Sequence, residues 1–214
     1  MGGRGSFSGL LQTIDDVLGI HDAKGTVEEI PVDKFGTLEQ TENLLRNRKR
    51  EVLVVFNQKG EAVKAYQGDK HSVPFPVEEA EKWKGYTVTH NHPKGIEGFG
   101  GTFSFADMRN ITVYEFGSLR AVAGGQGEFN YILRAGPHTR PMEFNRRIAA
   151  DIPWLRQQMR QEVLKVKEDY IKQDNKFKNY GHFIHIARQK SVGMLNSYYR
   201  KTAEQYGYTY RTQK

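Results

Sequence analysis

The stretch "EVLVVFN" (51–57) restricts the fold of this chain more than any other. Five successive apolar residues, Val52 to Phe56, make both faces of an extended segment apolar, so the strand they predict must be covered on both sides. Its neighbours fill in the layers. "QKGEAVKAY" predicts a turn at Lys59 and Gly60 and a second strand, giving a hairpin, and "YTVTHNH" (86–92) is a β-branched strand. "VEEAEKWKG" (77–85) reads as a short helix, and "SFADMRNITVYEFG" begins a helix at a serine cap. "LRAVAGG" and "EFNYILRAG" are a further pair of strands. Upstream, "TVEEIPVDKFG" (26–36) is a short extended piece, and "TLEQTENLLRNRKR" (37–50) a helix with a threonine cap. This order implies an α/β (α+β) core, with a mixed, largely antiparallel sheet flanked by helices.

From Glu143 the pattern changes. Ile148, Ile152, Leu155, Met159, Val163, Val166 and Tyr170 recur at steps of three and four, one apolar stripe on a long helix. "DNKFKNYG" breaks it, and a second helix over about 182–206 would complete a helical hairpin. Residues 143–214 hold 15 Lys+Arg against 7 Asp+Glu, a net of +8, whereas residues 1–142 hold 17 and 18, a net of −1. Three parts are therefore expected: a flexible arm and extended lead (1–36), a near-neutral domain (37–142) and a basic helical extension (143–214). The extension has the charge to meet nucleic acid, an acidic protein or a membrane surface, or simply to solvate its helices. Its Tyr198, Tyr199, Tyr206, Tyr208 and Tyr210, interleaved with Arg and Lys, suit either base stacking or helix packing, and packing is favoured. Cysteine is absent, which excludes disulfides and thiolate chemistry. With no apolar run of membrane-spanning length and acidic residues in the first twenty, a soluble, cytoplasmic protein is expected.

The chemistry concentrates in "VTHNHPKGIEGFGGTFSFADM" (88–108). Side chains two apart on a strand point the same way, so His90 and His92 can present imidazoles to one point. Asp107 can add an oxygen ligand once the chain folds back through the glycines. Two histidines, one carboxylate and an open position describe a catalytic zinc site, in which bound water ionises near neutral pH. Taken singly, the residues have plainer readings: Ser104 and Asp107 form an S-x-x-D capping box, and Pro93 with the glycines a turn. His182 and His185, at i and i+3, are better read as surface or interface residues, and His21, His71 and His138 have no evident partner.

Together, "HNHP" and "SFAD" resemble the JAB1/MPN/Mov34 metalloenzyme (JAMM) motif, and "HNHPKG" is most similar to its bacterial RadC-like branch. The resemblance covers about residues 45–135. It implies a mixed α/β sheet flanked by helices, zinc bound by His90, His92 and Asp107, and Ser104 helping to stabilise an oxyanion. It also implies a glutamate on an early strand that acts as base. Glu51 at the head of the buried strand is the favoured candidate, and Glu61 is the rival. The spacer between Pro93 and Ser104 has ten residues where the family has about six, which bears on the register of Asp107 and the groove. The activity implied is hydrolysis of a peptide or isopeptide bond, with a peptide or ubiquitin-like protein as substrate. The alternative is a non-catalytic module, binding nucleic acid or serving in phage or mobile-element assembly through its basic helices.

Overall fold

A computed structural model describes residues 27–93, 101–124, 129–172 and 180–213. Seven strands form one sheet in the order β1-β3-β2-β4-β5-β6-β7: β1 Glu28–Glu29, β2 Val52–Phe56, β3 Ala62–Gln67, β4 Thr87–His92, β5 Ser118–Ala123, β6 Phe129–Ala135 and β7 Tyr208–Gln213. Only β4 and β5 pair in parallel; all other neighbours are antiparallel. Among the described residues there are five α-helices: α1 Leu38–Leu45, α2 Val77–Ala80, α3 Phe105–Val113, α4 Pro141–Lys172 and α5 Tyr180–Gln205. The fold is α+β with a mixed, mostly antiparallel sheet. No described helix is long and apolar enough to cross a membrane.

The demand made by "EVLVVFN" is met on both sides. Val52, Val54 and Phe56 pack with Leu45 of α1 and Phe35 in one cluster. Leu53 and Val55 join a larger cluster on the other face, with Phe105 and Met108 of α3, Leu155 and Met159 of α4 and Leu195 and Tyr199 of α5. Both caps form as expected. Thr37 and Gln40 exchange side-chain and backbone bonds at the start of α1, as Ser104 and Asp107 do at the start of α3. Gly60 takes positive φ in the β2–β3 turn.

The far end of the chain departs from expectation. Tyr208–Gln213 is a strand, β7, paired antiparallel with β6, where the sequence reading placed no strand. Its alternation explains it: Tyr208 and Tyr210 face the core, while Thr209 and Arg211 are exposed. Gly207, at φ +78°, makes the turn from α5 into β7, and a Cβ there would meet the His138 carbonyl oxygen at 2.6 Å. Tyr199, Tyr208 and Tyr210 are core, Tyr198 bonds Asp151 and Tyr206 stacks on Phe144, so the tyrosines serve packing. The two long helices pack on each other, but residues 173–179, the expected connection, lie outside the described residues. The change of charge at 143 is not a break in packing, because Phe144, Ile148 and Tyr208 share a cluster with Leu119 and Leu133 of the sheet.

Between α1 and the sheet lies a buried ion pair that the sequence did not suggest. Glu42 accepts from Arg120 Nε and, at 2.9 Å, from Arg120 Nη2; Thr89 and Asn130 also donate to it. Removing one buried charge strands the other, so Arg120→Met is expected to cost about 3–5 kcal/mol, and Glu42→Met with Arg120→Met much less. Urea unfolding of the two variants measures the difference.

Candidate metal centre

β4 lies between β2 and β5, and its alternation separates two jobs. His90 and His92 face the α3 side. Thr89 and Asn91 face the other: Thr89 meets Glu42, while Asn91 Oδ1 accepts from Val52 N at 2.8 Å and its Nδ2 donates to the Arg50 carbonyl at 3.1 Å. The letter between the histidines thus ties the start of β2 to the end of β4.

The imidazoles and Asp107 converge. His90 Nε2 lies 2.9 Å from His92 Nε2 and 3.1 Å from Asp107 Oδ1, and His92 Nε2 lies 3.5 Å from Asp107 Oδ2. Ligand atoms about 2.0–2.1 Å from a tetrahedral ion are separated by about 3.3 Å, so these distances match the edges of one coordination polyhedron. Among the described residues His90, His92 and Asp107 form the group able to hold a metal ion. The orientations fit too. His92 Nδ1 is 2.9 Å from the Gly101 carbonyl oxygen, which can only accept, so a neutral His92 keeps its proton on Nδ1 and turns the Nε2 lone pair to the site. Asp107 is held by Ser104, whose backbone N and Oγ each donate to Oδ2 at 2.7 Å while Oγ accepts from Asp107 N at 3.1 Å. The ten-residue spacer does not displace Asp107, although residues 94–100 lie outside the described residues.

Glu51 joins this group. The β2–β4 register pairs Leu53 with His90, and Glu51, just before β2, lies near enough to His92, His90 and Asp107 for their charges to act on its carboxyl. Its backbone is fixed by bonds with Asp69 and Gly68. Burial raises the carboxyl and the two histidines lower it, leaving its pKa at about 7. Glu61 is not brought here. It sits in the β2–β3 turn, at the other end of the strands, where Asn57 donates to its carboxylate at 2.8 Å. His71 lies in a turn with its backbone N bonded to Asp69, the side chain of His182 lies outside the described residues, as does His21, and His138 stands at the turn before α4.

The site is charged despite its burial. Burial opposes protonation of His92, but the Asp107 hydrogen bond and the charges of Asp107 and Glu51 outweigh it and raise the imidazole to about 9. Burial likewise disfavours ionised Asp107, yet His90 and His92 hold its carboxyl well below the usual range. Sequence reasoning missed two residues around this centre. Asn91 could have been found as the outward residue of H-x-H, and Tyr199 had no sequence signal; its buried hydroxyl is near enough to Asp107 for that charge to help raise the phenol's pKa.

A metal ion requires His92 without its Nε2 proton, so proton and metal compete below pH 9. Apparent affinity is expected to rise about tenfold per pH unit between 7 and 9 and to level off above 9. Competition with a chelator of known affinity across that range checks it; a flat profile would contradict the assignment of His92. Compared with known proteins, the chain matches no protein-family model, no curated protein and no solved structure.

Proposed function

We propose that this chain is a zinc metallopeptidase or isopeptidase of the JAMM kind, hydrolysing a peptide or isopeptide bond. One observation carries the reading: a buried glutamate, Glu51, with a pKa raised to about 7, lies within electrostatic reach of the three side chains that converge as candidate metal ligands. A structural ion pair would not require an additional desolvated acid beside it. Two imidazoles and one carboxylate suit zinc, and three protein ligands are the number found in catalytic zinc sites.

When bound, zinc supplies a Lewis acid for the scissile carbonyl and a water whose pKa is lowered to about 7. Glu51 takes a proton from the attacking water at its carboxylate and delivers it to the leaving amine as the carbon–nitrogen bond breaks. A carboxyl poised near neutrality serves both transfers. Ser104 would turn its hydroxyl proton from Asp107 Oδ2 towards the developing oxyanion while its oxygen continues to accept from Asp107 N, preserving the helix cap. His90, His92 and Asp107 would hold the ion, with the Gly101 carbonyl oxygen keeping His92 oriented.

A second reading rests on the exposed Arg146, Arg160, Lys190, Arg200 and Lys201 of α4 and α5, which would let the same fold bind nucleic acid without turnover. Metal analysis separates the two. Purified protein is expected to carry about one zinc per chain, lost in a His90→Ala/His92→Ala variant. Glu51→Gln should retain the metal while hydrolysis of peptide and ubiquitin-like substrates falls at least about 100-fold. Folded wild-type protein that takes up no zinc, and binds DNA with a steep salt dependence, would favour the second reading.

A further inference from the structure

The carbonyl that orients His92 belongs to Gly101, and the next residue is held by the far end of the chain. Thr102 is buried, and its Oγ1 donates to Asn196 Oδ1 of α5 at 2.6 Å. Tyr210 Oη of β7 donates to the same Oδ1 and lies 3.0 Å from Thr102 Oγ1. The Asn196 side chain also hydrogen-bonds Tyr131 of β6. One carboxamide therefore joins a metal-site loop, a long helix and two strands. The surroundings leave this group little freedom: Phe103 is fully buried, its ring edge-on to Tyr131 and Tyr210, and His90 stands 6.4 Å from it between ring centroids.

Building on the metal reading, we propose that Asn196, Tyr210 and Thr102 form a clamp that positions the metal centre through Gly101, so that α5 and β7 belong to the site as well as to the core. The clamp touches no ligand directly. It fixes the peptide between Gly101 and Thr102, and that peptide's carbonyl fixes the tautomer and ring angle of His92. Hydroxyl donors converge on one amide oxygen, so the loss of Thr102 Oγ1 leaves Gly101 without its anchor to α5 while Asn196 remains partly satisfied by Tyr210. A hydrogen-bonded outer shell of this sort raises affinity because the ligand need not be ordered when metal binds.

The test uses the full chain with cobalt(II) as a spectroscopic stand-in for zinc. Outer-shell partners commonly change metal affinity 10–100-fold, and this clamp acts one bond further out, so Thr102→Val and Asn196→Leu are expected to weaken cobalt binding about tenfold and to shift its visible absorption. Thr102→Ser, which restores the hydroxyl, should return both affinity and spectrum to the wild-type values. Tyr198→Phe, which removes the bond to Asp151 elsewhere on α5, controls for loss of stability and should leave both unchanged. Folded Thr102→Val with wild-type affinity and spectrum would overturn the clamp and leave the metal reading standing. A spectral change equal in Tyr198→Phe and Thr102→Val would also overturn it, by assigning the effect to general loosening. Failure of the wild-type protein to bind cobalt or zinc would overturn the metal reading, and the clamp with it. Should Asn196→Leu not fold, the nearly isosteric Thr102→Val decides the matter.

Discussion

The antiparallel pairing of β2 with β4 is the contact on which both core and site depend. β2 is apolar on both faces and can exist only between two layers; β4 is polar at its end and needs a rigid neighbour to place that polarity. Pairing them sets Leu53 opposite His90, and Glu51, just before β2, comes within reach of the histidines' charges. Asn91 closes the junction by satisfying Val52 N and the Arg50 carbonyl where the ladder stops. A one-residue slip would turn the histidines towards α1 and send Asn91 into the site. The bulk of Val52 to Phe56, which packs on both faces, opposes that slip.

Charge is buried on both faces of the sheet, and the two sites differ in how it is balanced. Beneath α1, Glu42 meets Arg120, Thr89 and Asn130, so its oxygens are bonded by donors at fixed distances. On the α3 face Asp107 meets both imidazoles and two donors of Ser104, with Glu51 nearby. His90 Nδ1, buried, has no hydrogen-bond partner among the described residues. A cation at the convergence point would take the place of the protons that now hold the imidazoles to Asp107. The structural pair ties α1 to the sheet; the other cluster can exchange its protons for an ion.

Much of this was legible because it depends on short-range periodicity. The unbroken apolar run of "EVLVVFN" predicts a strand between layers, and the two-residue period of a strand places His90 and His92 together. Ser104 and Asp107 announce a helix start three residues apart, and Glu51 shares parity with Leu53. Contacts between distant parts of the chain were not legible. Glu42 and Arg120 are 78 residues apart and Thr102 and Asn196 are 94 apart, and no local pattern marks either member. β7 failed for a different reason. "YTYRT" alternates as a strand should, but tyrosines following a long helix read as helix packing, whereas Tyr208 and Tyr210 turn inward from a strand. Burial of a tyrosine depends on a partner for its hydroxyl, and for Tyr210 that partner is on α5 and the metal-site loop.

The spacer between Pro93 and Ser104 is anchored at both ends: β4 holds the side of His92, and Thr102 with the Ser104 cap holds the other. Because the ends are fixed independently of what lies between, its length is separated from the geometry of the ligands. Closing a longer loop costs little, about 0.6 kcal/mol for each doubling. Residues 94–100 can therefore change in number or kind while His90, His92 and Asp107 keep their spacing. The three side chains thus keep their places independently of the segment's length, and variation among related chains would be expected to accumulate in residues 94–100 before it reached His90, His92 or Asp107.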